Sequence, residues 1–425
     1  AAMSRARLAS ARRAGPRNRR APLVAALALA SLVAAPAAAR AQQGDDRARD
    51  TRAQVELYGL VMADAVHDRT GIQGAWLDAM RPTRLPTVRD EFGRPGTVFF
   101  GVRQTRLGLR PSVPTALGTI TGQFEWDLFG VGPDQGQTTF RLRHAFVRVG
   151  RFAFGQLESS WMDVDVFPDV IDYWGPNGMV FFRNVQAQVR LVDDGRHRVQ
   201  LSLERPGATP DGGDYADRVE LRGIRLRTPL PDLAAHYRYG DARWGHVQVA
   251  GIVRRIVWDD LQGDPVDLGG GTVGAGVNVS TNLRLGSRAV FRGQAVYGRA
   301  IQNYQNDGPA DVGVRPGTGA ARPFEGEALP MRSMVAYVDL AWSPRWTSSV
   351  GWSTLVTDNA AGQSASAFRR GDYASANLLW RPLPRMLVGG EVQYLARDPA
   401  REAYRASGWR LQLSARYSFS GRFVP

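Results

Sequence analysis

The chain has 425 residues, no Cys, 47 Gly, 25 Pro and 44% hydrophobic residues, and all 54 of its basic residues are Arg. Ordinary hydrophobic content excludes a disordered or collagen-like chain. The lack of Cys excludes a disulfide framework, a thiolate metal site and a Cys nucleophile, and without a run of about 20 apolar residues after residue 40 a bundle of membrane helices is excluded too.

The formal charge of +14 is partly a property of the first residues. Arg5, Arg7, Arg12, Arg13, Arg17, Arg19 and Arg20 precede an apolar run from Pro22 to Ala35 and a small-residue site at Ala39-Arg40-Ala41. A basic segment, about 14 apolar residues and small residues form a secretory signal, expected over residues 1–41. Without it the chain carries 46 basic against 40 acidic residues, or +6. Residues 42–54 follow as a short periplasmic segment.

From residue 55 the pattern has period two. Ile120, Phe124, Trp126 and Leu128 alternate with Thr121, Gln123, Glu125 and Asp127. Leu411, Leu413, Ala415, Tyr417 and Phe419 alternate with Arg410, Gln412, Ser414, Arg416 and Ser418. In chain order the predicted strands are 55–62, 98–109, 118–129, 138–149, 152–159, 184–192, 197–205 and 232–240, then 244–258, 271–281, 287–301, 333–342, 346–356, 372–380, 386–396 and 409–419. Residues 218–228 alternate as well. As a seventeenth strand they break the rhythm of the connections, so they are read as a loop hairpin.

Short connections at 110–117, 150–151, 193–196, 241–243, 282–286, 343–345 and 381–385 alternate with long ones. The longest are 63–97, 160–183, 206–231 and 302–332; 357–371 and 397–408 follow, with shorter members at 130–137 and 259–270. That is the rhythm of an outer-membrane barrel with periplasmic turns and outer loops. The expected fold is therefore all-β: a transmembrane antiparallel barrel of about 16 strands over residues 55–419, with a C-terminal tail at 420–425. Such a barrel encloses a wet lumen, and its backbone must close on itself in lipid. Aromatics at strand ends, including Trp244, Trp258, Trp342, Trp346, Trp380, Trp409 and Tyr417, suit the interface girdles.

The loop after the fifth strand is too apolar to sit in water. It contains Trp161, Val164, Val166, Phe167, Val170, Ile171, Tyr173 and Trp174. It is the third long loop in the count, and folding inward against the lumen wall would pack these side chains. Asp163, Asp165, Asp169 and Asp172 would then present carboxylates to the channel beside Tyr173 and Trp174, and Gly175-Pro-Asn-Gly178 would return the chain. Arg288, Arg292, Arg410 and Arg416 face the lumen by alternation. Arg106, Arg141 and Arg143 join the basic wall, although the phase of the strand over 138–149 changes between Phe140 and Val147, which predicts a bulge. The alternative for each Arg is pairing with Glu125, Asp127, Asp339 or Glu391 across the lumen.

The string Met162-Asp-Val-Asp-Val-Phe-Pro168, followed by Tyr173-Trp-Gly-Pro-Asn-Gly-Met-Val-Phe-Phe-Arg183, resembles the DcaP-like outer-membrane porins. So do Tyr58-Gly-Leu-Val-Met62, Phe99-Phe-Gly-Val-Arg-Gln-Thr-Arg106, Phe140-Arg-Leu-Arg-His-Ala-Phe146 and Gly251-Ile-Val-Arg-Arg-Ile256. The resemblance implies a sixteen-stranded homotrimeric porin in the outer membrane, passing small anionic solutes such as dicarboxylates. Family members often carry a longer N-terminal coiled coil; residues 42–54 lack the large apolar side chains to form one. Small outward faces (Leu60, Ala63, Ala65) would support trimer contact. Outer-membrane lipid is the surrounding partner; nucleic acid is not, because export removes the chain from it.

No enzyme is expected. The five His (His67, His144, His197, His236, His246) sit in no catalytic motif, and neither Gly-x-Ser-x-Gly nor His-Glu-x-x-His occurs. A barrel enzyme built from scattered residues and a soluble sandwich are the competing classes. No cofactor is expected. The loop Asp residues lack the ligand spacing of a calcium loop, so no metal is expected either.

Overall fold

The computed structural model describes residues 52–424. The expected signal at 1–41 and residues 42–51 of the short segment lie outside the described residues. In chain order the strands begin with β1 (Gln54–Asp68), β2 (Thr97–Gly101), β3 (Arg106–Thr115), β4 (Gly118–Phe129) and β5 (Thr138–Val149). Next come β6 (Phe152–Glu158), β7 (Arg183–Asp193), β8 (His197–Glu204), β9 (Ile224–Arg227) and β10 (Asp232–Asp241). β11 (Gly245–Asp260), β12 (Gly270–Leu285), β13 (Ala289–Arg299), β14 (Val312–Gly319) and β15 (Arg322–Ala328) follow. The last are β16 (Pro330–Ala341), β17 (Trp346–Thr357), β18 (Phe368–Trp380), β19 (Met386–Pro399) and β20 (Ala406–Phe423).

Each wall strand pairs antiparallel with its neighbour, and β20 returns to β1 from Val55↔Phe423 to Asp68↔Arg410, closing the barrel. The sheet has 18 strands. β2 and β3 both pair with β1, above and below a break at residues 102–105. β9 pairs only with the outer end of β11, beyond the reach of β10. Each of these pairs occupies one place in the wall, which leaves the sixteen-stranded barrel.

Several boundaries differ from the sequence reading. The predicted strand 98–109 is two strands, because Arg103 and Gln104 turn into the lumen: Arg103 pairs with Asp78 at 2.6 Å, and Gln104 donates to the Ile171 carbonyl at 2.9 Å. Residues 420–423, read as a tail, belong to β20, where Ser420 and Phe423 pair with Tyr58 and Val55. Of 218–228 only the four residues of β9 are extended. The hairpin β14–β15 lies inside the loop 302–332, where alternation was not noticed. Trp258 turns away from lipid, its indole donating to the Leu268 carbonyl at 2.9 Å among the outer loops.

Alternation decides which side chains meet lipid. On β4, Glu125 and Asp127 are buried in the lumen while Phe124 faces out. Trp342, Trp346, Trp380, Trp409 and Tyr417 are exposed on the outer wall, and Trp346 stacks on Trp380 at 5.8 Å. On β1 the reading of one small face fails: Ala63 lies out, but Leu60 points inward and packs with Met62, Ile171, Leu379 and Leu387. The bulge in β5 is present. Glu125 faces His144 while Trp126 faces Leu142, so Arg143 and His144 both turn inward. Next to it Gly155 has φ +125, and a Cβ there would lie 2.2 Å from the Ala145 carbonyl oxygen, so only glycine fits.

The lumen is partly solid. Residues 69–96, between β1 and β2, fold inward and place Ile72, Trp76, Met80 and Leu85 against Val166, Met179, Tyr337 and Tyr373. A second cluster joins Trp161, Met162 and Val180 to Ile252, Ile301 and Tyr304. Burying side chains of this size stabilises by roughly 1.5–3 kcal/mol each, enough to hold two loops inside a wet barrel.

Candidate functional site: the loop across the lumen

Residues 159–182, between β6 and β7, cross the lumen and touch the wall in sequence. The loop is pinned at its start by Glu204 of β8, which accepts from the Ser159 hydroxyl at 2.8 Å and from the Ser160 amide at 3.2 Å. Asn278 of β12 donates to the Trp161 carbonyl at 2.9 Å. At the far side the Ile171 and Asp172 amides donate to Glu391 of β19 at 3.0 and 3.3 Å. On the way back Asn177 donates to the Gly371 carbonyl at 3.0 Å and the Val180 amide to Gln294 at 2.9 Å. The polar lumen face of the barrel thus satisfies the backbone of a loop whose only regular structure is one short turn at Val164–Val166 and an isolated bridge from Val180 to Gln305.

The four loop carboxylates do not stand free. Asp163 is fully buried, bonded to Arg238 at 2.6 Å, His246 at 2.7 Å and Ser280 at 2.7 Å. Burial opposes its charge, yet the His246 bond and the Arg238 charge hold its carboxyl below the usual range. Asp165 is exposed and shares Arg238. Asp169 pairs with Arg381 at 2.8 Å. Asp172 is buried and accepts the amides of Met80 at 3.3 Å and Gly175 at 3.2 Å. Burial pushes its carboxyl up to about 7; Arg410 opposes this and Glu391 adds to it. The expectation that all four face the channel is therefore corrected. A carboxylate carried into a packed lumen needs a donor, and Asp163 and Asp172 take theirs from the wall and from backbone.

Tyr173 and Trp174 belong to the aromatic packing. Tyr173 stacks on Phe129 at 4.6 Å, and its hydroxyl meets Asp127, Arg141 and Arg143. Trp174 packs edge-on against Trp76 at 6.0 Å and Phe129 at 5.6 Å.

The arginines named from sequence divide. Arg106, Arg141 and Arg143 face the lumen together and share two carboxylates there: Arg141 binds Asp127 at 2.5 Å, Arg143 binds Glu125 at 2.5 Å and Asp127 at 3.0 Å, and Arg106 lies 3.7 Å from Glu125. These partners sit on neighbouring strands, not across the lumen. Arg292 faces inward, bonded to Asp339 at 2.5 Å and to the Asp165 carbonyl. Arg410 is fully buried under the first loop, bonded to Asp68 at 3.2 Å and to the Leu77 carbonyl at 2.6 Å. Arg416 faces inward opposite Met62, near enough to Asp169 and Arg381 to feel their charges. Arg288, expected on a strand, is not on one: it lies exposed in the turn before β13, at the edge of a cavity that Arg292 and Asp339 also line.

Below the loop, toward the short turns, a cavity of about 500 Å³ opens. Arg196, Arg198, Arg238, Arg284 and Arg292 line it against Asp165, Asp193 and Asp241. A second cavity of about 540 Å³ lies beside it, with Asp169, Arg284, Arg288, Arg292 and Asp339 in its wall.

A family model described as DcaP outer membrane protein matches residues 37–283, more than half of the chain. The chain belongs to the DcaP outer membrane protein family. It is an outer-membrane protein with a porin-like channel fold. Among solved structures, the crystal structure of the outer membrane channel DcaP of Acinetobacter baumannii superposes with TM-score 0.73 at 21% identity, covering 87% of this chain and 98% of that one. An anion-selective porin from Comamonas acidovorans matches with TM-score 0.55 at 11% identity, over 86% and 100% of the two chains. OmpT of Vibrio cholerae in its trimer form matches with TM-score 0.52 at 11% identity, over 87% and 100%. No curated protein matches the sequence significantly.

In this DcaP-family barrel, sequence reasoning passed over Arg148, Arg190, Arg198 and Arg238. They follow one another on the inward faces of β5, β7, β8 and β10, where Arg198 pairs in register with Arg238. Arg148, Arg190 and Arg198 are close enough for their like charges to act on one another. The signal was present: Arg198, Gln200, Ser202 and Glu204 alternate with Val199, Leu201 and Leu203. Asp163, Asp165 and His246 gather ligand atoms within 4.8 Å of one another. Arg238 bonds both carboxylates, which makes the group a salt-bridge cluster that keeps one negative charge in excess.

Proposed function

We propose that the protein is an anion-preferring porin, a non-enzymatic channel through which small hydrophilic solutes, organic acids such as dicarboxylates among them, cross the outer membrane passively. The observation that carries this reading is the cavity below the loop, where five arginines face three aspartates. Selectivity follows the fixed charge facing water at a narrow place. Arg196 and Arg284 form no salt bridge among the described residues, although the charge of Arg196 reaches Asp241, so both are available to a passing anion. A guanidinium fork holds a carboxylate in two places, and its exposure to water keeps that contact weak enough to release.

Residues 1–41 act as the cleaved export signal, and the mature chain assembles as a homotrimer. Outward-facing Ala63 and Ala65 on β1 leave a small-residue strip suited to close approach. The trimer form of the OmpT neighbour and the anion selectivity named for the Comamonas porin support these readings by likeness of fold.

The pairing of Arg106, Arg141, Arg143 and Arg410 with carboxylates favours a second reading, a general porin without charge preference. Recording the mature protein in a planar bilayer under a salt gradient separates the two. A reversal potential on the anion side, with triple-step insertions and transient block by succinate, is the expected result. A reversal potential near zero leaves the general porin; clear cation preference refutes the proposal.

A further inference from the structure

The outer wall carries a furrow that the solute pathway does not use. Its volume is about 780 Å³ and it runs along β10–β13 on the membrane side. Its floor is small: Ala235 pairs with Gly251, and Ala275 lies on the next strand. Its walls are Leu233, Val277 and Tyr297, the last 70% exposed. Small residues in a lipid-facing band let another chain lie close to the backbone; here the floor is wide and open. A Cβ on Gly251 would meet nothing nearer than 3.9 Å.

Directly above the furrow, at the end with the long loops, stand Arg255 and Arg299. Both project outward and are exposed. Arg255 pairs with Val273 and Arg299 with Ala275, so the two arginines flank β12 two residues apart, with Arg255 nearer the long loops. Other arginines on this rim are occupied: Arg227 binds Asp259 at 2.7 Å, Arg332 lies 3.6 Å from Asp358, and Arg370 binds Asp372 at 2.8 Å. Among the described residues neither Arg255 nor Arg299 has a carboxylate partner.

From this geometry we propose that the furrow binds one phosphorylated, multiply acylated glycolipid of the outer leaflet, acyl chains on the Ala235–Gly251–Ala275 floor and a phosphate between Arg255 and Arg299. Uncharged acyl packing alone would be indifferent to leaflet and headgroup. Two unpaired guanidinium groups at the membrane boundary add a charge-assisted contact, and the arrangement puts them on the outer side only. This site is independent of the solute preference proposed above.

The test uses purified full-length protein in detergent, titrated with bisphosphorylated lipid A and followed by native mass spectrometry. One lipid A per protomer is expected, with at least tenfold weaker retention of the dephosphorylated lipid. Arg255→Gln with Arg299→Gln should weaken lipid A at least tenfold, and so should Gly251→Leu, whose Cβ enters the floor with nothing nearer than 3.9 Å. Heat-modifiable migration on a gel confirms that each variant is folded. Equal retention by both variants and the wild type overturns the proposal. So does equal retention of the dephosphorylated lipid, full displacement by millimolar inorganic phosphate, or a second protein copy occupying the furrow in place of lipid.

Discussion

Replacing Arg196 and Arg284 with glutamine removes two positive charges from the cavity below the loop without touching the loop's own anchors. Both side chains are exposed, and neither forms a salt bridge among the described residues, the charge of Arg196 reaching only as far as Asp241. The cavity of about 500 Å³ is equivalent to a sphere of about 5 Å radius, so an ion at its centre lies roughly 7 Å from each guanidinium. In water-like surroundings a unit charge at that distance contributes about 0.6 kcal/mol, close to one RT, before screening over a Debye length of about 10 Å at 0.1 M salt. Each arginine therefore enriches anions over their unperturbed concentration by roughly a factor of two to three, and depletes cations by the same factor. Losing both should lower the anion-to-cation permeability ratio by about an order of magnitude or more at low salt, and by much less at 1 M. Reversal potentials measured at both ionic strengths read this directly. An unchanged reversal potential at low salt, in a variant that still inserts as an open channel, would refute the electrostatic argument.

Three other outcomes follow from the loop and its wall. Asp163→Asn leaves Arg238 and His246 without their buried partner; breaking such a pair costs about 3–5 kcal/mol, so hydrogen exchange of residues 163–170 should accelerate by about two to three orders of magnitude, and unaltered exchange would show that the pair does not anchor the loop. Asp172 has its carboxyl at about 7 in the folded chain against an ordinary value of 3.8. Its contribution is thus fully present below pH 4 and lost as pH rises through 7. Asp172→Asn should therefore gain stability over the wild type by about 3 kcal/mol more at pH 8 than at pH 5; denaturation at the two pH values gives the difference, and an equal gain at both removes the argument. Gly155→Ala would force a Cβ to 2.2 Å from the Ala145 carbonyl at φ +125, so little heat-modifiable barrel should form; normal yields would mean that the β5 bulge relaxes.

Much of this fold was legible because a lipid-facing strand writes its orientation into alternate residues. Where both faces obey that rule, as over Arg410 to Tyr417, inward and outward side chains were assigned correctly. Where the chain inserts an extra inward residue, as at Arg143 and His144, the phase change itself marked the bulge. Alternation carries no information past the edge of the bilayer, which is why Arg288 was given to a strand and Ser420–Phe423 to a tail. The inward course of residues 159–182 was readable from apolar side chains that water would not tolerate. The same cue existed in Ile72, Trp76, Met80 and Leu85, more thinly spread among polar residues, and the first loop was not recognised. Side-chain partners were the least legible: sequence shows that a carboxylate and a guanidinium share a face, not that Asp163 meets Arg238 across 75 positions.

The two inward loops also divide the barrel unequally. Apolar side chains of residues 69–96 pack against one side of residues 159–182; on the other lie the open cavities and their arginines. Fixed charge is thereby concentrated at one mouth. A pore of that kind rectifies: voltage that drives anions in from the charged end accumulates carriers within it, and the opposite voltage depletes them. The current through a single inserted channel should therefore depend on the sign of the potential, and the sense of that asymmetry would reveal which way the channel entered the bilayer.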